Sequence, residues 1–348
     1  MRYRLPVILL AMMSLIVGLL TGFLRIGWTL PVYGLSGNHG AIMVGGFLGS
    51  LITLERAIVL KSNWAYAIPL TSGLSMIAFF IGQDQWAHVL LIAASAGLIV
   101  IYLVAINQKK GVYIEYLLVG AICWLAGNIL LLRTGFYPSV FPWWMIFVLS
   151  TIVGERLELT RFLPVTKFQK QLLGIFQLVA LAGIMLPFHG PGRWMTGAGL
   201  LAIALWLMKF DVVRVLLKKQ GHFFYTGLAL FSGYCWLLMV GALVLINPAT
   251  GYAYDALLHT FFLGFTFSMI FAHGPIIFPG ILGQTVQPFH KLLFVWLGLL
   301  NVSIIGRVLA DFGLWMEMRM WSGMLSGVSI IFFLITLMVV LQKQRYLS

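Results

Sequence analysis

The sequence predicts an all-α fold: a polytopic membrane helix bundle of about twelve transmembrane helices, in a single domain over residues 1–348. Of the 348 residues, 61% are hydrophobic and only 9% are charged, whereas soluble domains have about 25% charged residues. The mean hydropathy is +1.01. Apolar runs of about 20 residues recur along the chain, and a helix of that length crosses a bilayer.

Short polar connections divide the apolar runs into twelve predicted spans, and none is long enough to hold a soluble domain. After the first four residues the apolar run simply continues, so we expect a first span there rather than a cleaved signal peptide. The twelve spans cover 5–24, 36–60, 64–82, 86–106, 112–132, 141–160, 171–187, 193–209, 222–246, 253–279, 289–309 and 320–341.

Successive loops of the predicted bundle lie on alternate sides of the membrane, and the loops of one side contain many more lysines and arginines than those of the other. Cytoplasmic loops carry the excess of basic residues, so the richer set predicts that both termini are cytoplasmic. We expect the membrane to be a bacterial inner membrane. His39 and His259 then lie toward the outer face and His273 toward the inner face. The net charge of +13 reflects this topology and does not imply nucleic acid. The richer set is Arg2, Arg4, Lys61, Lys109, Lys110, Arg161, Lys167, Lys170, Lys209, Arg214, Lys218, Lys219, Lys291, Lys343 and Arg345, and the poorer set is Arg25, Arg133, Arg193 and Arg319.

The sequence contains none of the common motifs for cysteine chemistry, covalent haem attachment, hydrolysis or phosphate binding. Cys123 and Cys235 both fall inside apolar spans, and the chain has no C-x-x-C pair and no C-x-x-C-H haem attachment motif. It also has no H-E-x-x-H, no G-x-S-x-G and no phosphate-binding glycine loop. Cysteine chemistry and hydrolysis are therefore not indicated.

Two histidines, His259 and His273, lie on the tenth predicted span. On a regular α-helix their separation of fourteen residues places them within about 40° of one face and about 21 Å apart along the axis. We therefore expect one histidine near each side of the bilayer, both facing the same neighbours. An imidazole in a hydrophobic span is costly unless it binds something or faces other protein groups.

A second histidine is predicted at the depth of His259. His39 opens the second span, which runs in the same direction as the tenth. Two imidazoles at matched depth are candidates for the axial ligands of one b-type haem, a six-coordinate centre suited to electron transfer. Plain polar packing explains the pair equally well. Near the outer end of the next span, Arg307 is a candidate partner for the haem propionates, or for lipid headgroups.

Charged residues near the inner ends of the second and sixth spans follow a repeated pattern. Four residues of the second span recur one hundred positions later. Because spans 2, 6 and 10 are four apart, the repeat suggests three pseudo-equivalent four-helix units, although chance also explains four matches. The residues are Ser50, Ile52, Glu55 and Arg56, which recur as Ser150, Ile152, Glu155 and Arg156.

The acidic and basic residues of this repeat are adjacent in sequence. Glu55 and Arg56 lie about 100° apart on a helix, so we expect them to pair poorly with each other. We expect instead that Glu55 pairs with Arg156, and that Glu155 pairs with Arg56. Ionisable groups inside a membrane are functional candidates, so these residues and His273 are candidates for a proton relay or a second site. The alternative is a salt-bridge cluster that fixes helix register.

Two segments carry a resemblance to a known family: HGAIMVGGFLG (His39 to Gly49) and LHTFFLGFTFSMIFAHGPIIFPG (Leu258 to Gly280). Both resemble the NnrS-type haem- and copper-containing membrane proteins, which are similar to the catalytic subunit of haem–copper oxidases and nitric oxide reductases. The resemblance implies a twelve-helix bundle, ligand histidines on helices 2 and 10 and a link to nitric oxide metabolism. His39, His259 and His273 fall where that family has histidines. Haem b is the implied cofactor, and copper is a further candidate.

One departure from the oxidase pattern concerns the sixth span. Haem–copper oxidases place copper-binding histidines on helix 6 and just beyond, and here residues 141–160 contain no histidine. We therefore expect one low-spin haem or a reorganised site, and not a proton-pumping oxidase centre.

The leading hypothesis is a haem-b-binding integral membrane protein of electron transfer or nitric oxide metabolism, with a bis-histidine haem near the outer face. It would be a membrane oxidoreductase or the redox subunit of one, with a quinone or a cytochrome as electron donor. The alternative is a twelve-helix secondary transporter that uses the intramembrane Glu/Arg pairs. A subunit that only anchors redox partners is a third hypothesis.

Overall fold

A computed structural model of the chain describes residues 3–30, 33–108, 111, 113–160, 163–188, 190–249, 251–284 and 286–347. These residues form helices joined by short connections, and no β-strand occurs among them. The predicted all-α class is therefore confirmed for the described chain. Four basic residues that contributed to the predicted orientation, Arg2, Lys109, Lys110 and Arg161, lie outside the described residues.

Within the described ranges, each of the twelve predicted spans overlaps one long helix. The helices are α1 Arg4–Arg25, α2 Gly34–Leu60, α3 Ala67–Phe80, α4 Asp84–Asn107, α5 Tyr113–Thr134, α6 Tyr137–Leu159, α7 Lys167–Met185, α8 Pro191–Phe210, α9 His222–Ile246, α10 Ala253–Ile281, α11 Leu292–Gly313 and α12 Met316–Leu347.

Ten of these helices are long and apolar enough to cross a membrane, and the two that are not are α3 and α8. Helix α3 has 14 residues, fewer than the roughly 20 that a perpendicular span needs. The chain is therefore an integral membrane protein with about ten long apolar helices. The count of twelve spans stays a prediction, as do the three four-helix units.

The chain folds as two compact units, Met1–Gly154 and Glu155–Ser348, and the boundary falls inside α6. In the first unit, a buried asparagine on α5 joins three helices. The Asn128 amide donates to the Leu91 carbonyl of α4 at 3.1 Å, and its oxygen accepts from the Trp144 indole of α6 at 3.1 Å. Because the amide is satisfied on both sides, it fixes the register of α4, α5 and α6 at low cost.

In the second unit, successive helices from α7 to α12 pack against one another, and α10 also contacts α12. Small residues bring α7 and α8 close together. A Cβ added at Gly199 of α8 would lie 2.8 Å from the backbone nitrogen of Ala180 on α7. Aromatic stacking joins α10 to α12, where the rings of Phe271 and Phe333 are 3.8 Å apart and nearly parallel.

Two helices contain π-helical segments, which the sequence analysis did not predict. The segment in α2 covers Ile42–Gly49 and begins three residues after His39. The segment in α10 covers Thr260–Thr266 and begins directly after His259. In a π-helix each backbone N–H bonds five residues back, and such segments are frequent at functional sites.

The π segment in α10 also changes the predicted relation between its two histidines. The expected angle of about 40° assumed 100° per residue throughout, but Thr260–Thr266 lies between His259 and His273. The prediction that both histidines face the same neighbouring helices stays a prediction. His259 contacts Asp255, whereas His273 contacts Met269 and Arg156.

Replacing Gly199 by valine is expected to destabilise the protein, because a side chain there meets the backbone of α7. Overpacking of this kind costs about 1–3 kcal/mol. The measurement is the melting temperature of the purified protein in one detergent. Gly298→Val is the matched control, because a Cβ added at Gly298 on α11 meets nothing within 4 Å. Equal losses in the two variants would contradict the packing argument.

Candidate functional site

His39 is held against α1 at the start of α2. Its Nδ1 lies 2.9 Å from the carbonyl oxygen of Gly18 and 3.2 Å from Oγ1 of Thr21. A carbonyl oxygen only accepts, so this contact places a proton on Nδ1, and in the neutral imidazole Nε2 is then the unprotonated nitrogen. A Cβ added at Gly22 would lie 3.0 Å from Cε1 of the ring, so the glycine leaves room for the imidazole. The ring is fixed in both tautomer and orientation.

His259 has the same tautomer in the second unit. Its Nδ1 donates to the backbone carbonyl of Asp255 at 2.9 Å, and the same nitrogen lies 3.3 Å from Oδ1 of the Asp255 carboxylate. In the neutral imidazole, Nε2 is then the nitrogen with the free lone pair. Metal-bound histidines usually donate their other ring N–H to a carbonyl or a carboxylate, and His259 has both within reach.

Asp255 belongs to a buried group of charges that we call the Asp255 cluster: Asp255 on α10, Arg307 and Asp311 on α11, and Arg319 on α12. Arg307 donates twice to Oδ2 of Asp255, from Nε at 3.2 Å and from Nη2 at 2.9 Å. Arg319 reaches the same oxygen from Nη2 at 3.2 Å and Oδ1 of Asp311 from Nε at 2.8 Å. The guanidinium of Arg319 also lies 4.3 Å from the ring centre of Tyr252.

The Asp255 cluster changes the interpretation of Arg307. The sequence makes Arg307 a candidate partner for haem propionates or lipid headgroups, but its guanidinium is directed at Asp255. Arg307 is 4% exposed and Asp311 is fully buried, so each charge requires a partner inside the protein. The negative charges of the two aspartates balance the positive charges of the two arginines. Their pairing links α10, α11 and α12.

Sequence reasoning missed three members of this site: Asp255, Arg319 and Tyr252. A usable signal was present for Asp255, which precedes His259 by four residues and therefore lies on the same helix face. In the sequence, Arg319 was identified only as one of the basic residues in the loops of the poorer side. Its contacts require α11 and α12 to pack side by side, which no local pattern shows.

His273 takes part in a different group, the Asp211 cluster, which comprises Asp211, Arg156, Tyr234 and His273. Nδ1 of His273 donates to the carbonyl of Met269 at 2.6 Å, and Nε2 accepts from Nη2 of Arg156. The hydroxyl of Tyr234 donates to Oδ2 of Asp211 at 2.6 Å. Both ring nitrogens of His273 therefore bond to protein groups. This arrangement favours the predicted relay or second site over the predicted metal ligation.

The Asp211 cluster lies deep in the second unit. Arg156 is 3% exposed and Asp211 is 2% exposed. Among the described atoms, Nε of Arg156 and Oδ1 of Asp211 have no hydrogen-bond partner. Intramembrane ionisable groups of this kind are expensive and are functional candidates.

Glu55 and Arg56 pair with each other, contrary to the expectation from their 100° separation. Nη2 of Arg56 lies 3.2 Å from Oε1 of Glu55. Both side chains are long and flexible, so they bend together across the helix surface. The predicted pairs of Glu55 with Arg156 and of Glu155 with Arg56 join residues of different units and stay predictions.

The described residues contain no group of three or more His, Cys, Asp or Glu side chains that could hold a metal ion. A haem needs fewer protein ligands, because the porphyrin supplies four nitrogens and the protein supplies only the axial positions. A haem site therefore does not require a group of three such side chains.

Comparison with known proteins gives one match. A family model for a domain of unknown function (DUF8744) matches residues 4–342. No curated protein matches the chain. No solved structure matches it either.

Replacing Tyr234 by phenylalanine is expected to destabilise the protein, because Asp211 loses the hydroxyl that donates to it. A buried acceptor left unsatisfied costs about 1–3 kcal/mol. Tyr225→Phe is the matched control: both tyrosines are on α9 and fully buried, and the hydroxyl of Tyr225 has no partner among the described atoms. Denaturant unfolding in one detergent measures the difference. If Tyr225→Phe is as unstable as Tyr234→Phe, the hydrogen bond from Tyr234 to Asp211 does not account for the loss of stability.

Proposed function

We propose that the chain, which belongs to the DUF8744 family, binds haem b with His39 and His259 as axial ligands and takes part in electron transfer within the membrane. One observation carries the proposal: each histidine donates its Nδ1–H to a backbone carbonyl oxygen at 2.9 Å. This is the tautomer in which Nε2 is able to ligate iron. Two imidazole ligands complete six-coordinate iron, which suits electron transfer.

The local backbone supports the same proposal. A π segment follows each histidine within three residues, and π segments are frequent at functional sites. The absence of a side chain at Gly22 leaves room for the His39 ring. When bound, haem b supplies a one-electron redox centre, and the residues of this chain hold and orient the two ligands.

The resemblance to NnrS-type proteins extends the proposal to nitric oxide metabolism, with a quinone or a cytochrome as electron donor and copper as a further candidate cofactor. Six-coordinate iron has no open position for a gas. We therefore favour electron transfer over nitric oxide binding for the site itself. The proposed orientation, with both termini in the cytoplasm of a bacterial cell, rests on the basic residues of the loops.

Purified protein from haem-replete cells is expected to give a b-type reduced-minus-oxidised visible spectrum. His39→Ala and His259→Ala are each expected to lose this signal, because either change removes an axial ligand. His290→Ala is the control and is expected to keep the signal, because His290 is exposed in the loop between α10 and α11.

The two histidine variants also test whether one haem uses both ligands. Complete loss in each variant supports a single bis-histidine haem. Loss of about half of the signal in each variant would contradict the shared haem, and a colourless wild-type protein would overturn haem binding altogether.

Secondary transport is the second candidate, and the buried Asp211 cluster is the observation that favours it. Transporters place ionisable groups near the middle of the membrane, where they bind substrate or coupling ions. If transport is the function, uptake into vesicles is lost in Arg156→Gln or Glu55→Gln and persists in His39→Ala. The opposite pattern would exclude this candidate.

A further inference from the structure

Asp255 approaches the imidazole of His259 through two of its own oxygens. The backbone carbonyl accepts the Nδ1–H at 2.9 Å, and carboxylate Oδ1 lies 3.3 Å from the same nitrogen. The two residues are four apart on one helix, so both contacts form within a single turn. A shift of the carboxylate therefore changes the surroundings of His259 directly.

The position of the carboxylate is itself fixed. Its other oxygen, Oδ2, receives three contacts within 3.2 Å, two from Arg307 and one from Arg319. Charge-assisted contacts of this kind are strong and directional. Since both arginines bind Oδ2, Oδ1 is left facing His259. The side chain of Asp255 is 21% exposed, and those of the two arginines are 5% and 8% exposed, so water weakens the arrangement little.

We infer that Asp255 is a positioning residue for His259, that Arg307 and Arg319 hold it in place, and that its carboxylate makes this imidazole a stronger electron donor to the proposed haem. The inference rests on the proposed function. A neutral acceptor polarises the N–H bond less than a carboxylate does.

A stronger donor ligand favours ferric iron over ferrous iron and so lowers the midpoint potential of the haem. The carboxylate partner of a ligand histidine also raises ligand basicity, and removing such a partner typically lowers metal affinity about 10–100-fold. Asp255 should therefore influence both the potential and the retention of the haem. Neither effect requires Asp255 to touch the haem.

Asp255→Asn is the test, and Asp311→Asn is its matched control. Both changes remove one negative charge from the same cluster, but Asp311 contacts Arg319 and the Asp255 side chain and makes no described contact with His259. We expect Asp255→Asn to raise the midpoint potential by an amount equivalent to about a tenfold change in equilibrium constant, roughly 59 mV for one electron. The low-spin ferric resonance spectrum, which reports ligand basicity, should change in this variant. Asp311→Asn should give a smaller rise and an unchanged resonance spectrum.

Equal potential shifts in the two variants, with unchanged resonance spectra, would overturn the inference while leaving haem binding intact. A wild-type protein without haem would overturn the proposed function and this inference together, and the first spectrum reveals that outcome. If Asp255→Asn fails to fold, Arg307→Lys replaces it, since a lysine keeps the charge but cannot donate twice to Oδ2. A rise in potential in Arg307→Lys supports the inference, and an unchanged potential overturns it.

Discussion

The need to pair every buried charge governs the second unit. Asp255 is the carboxylate on which that pairing depends, because it binds Arg307 and Arg319 through one oxygen and faces His259 through the other. Breaking a buried pair by removing one partner typically costs about 3–5 kcal/mol. The same interactions that join α10, α11 and α12 therefore also determine the surroundings of the proposed ligand. The contacts of Asp255 therefore stabilise the packing of these helices and also orient the proposed ligand His259.

Three histidines on α2 and α10 illustrate how neighbouring groups give different chemistry to the same side chain. His39 donates to a backbone carbonyl, His259 lies beside a carboxylate, and His273 accepts from the cation Arg156. An imidazole next to a carboxylate is a better electron donor, and one beside a guanidinium is held neutral with its lone pair occupied. The first two arrangements suit ligands. The third suits a hydrogen-bonded relay with Tyr234 and Asp211.

Much of the fold was predictable, because the length of an apolar run is a local property of the sequence. The predicted ninth span, 222–246, coincides with α9, and the predicted second span ends with α2 at Leu60. The site was predictable only in part. His39 and His259 are identifiable by residue type, whereas the pairing of Arg307 with Asp255 depends on which helix faces which. The π segments also escaped prediction, since no residue type in Thr260–Thr266 specifies a wider turn.

The π segment of α10 bears on how sequences of this family are compared. A turn closed five residues back holds one residue more than an α-helical turn, so the segment acts as an insertion of a single residue within an otherwise continuous helix. Everything after it is rotated by about 100° relative to a helix without it. An ungapped alignment with a regular helix would match His259 correctly and then misplace His273 by one position. Gaps of one residue within Thr260–Thr266 thus have a structural meaning.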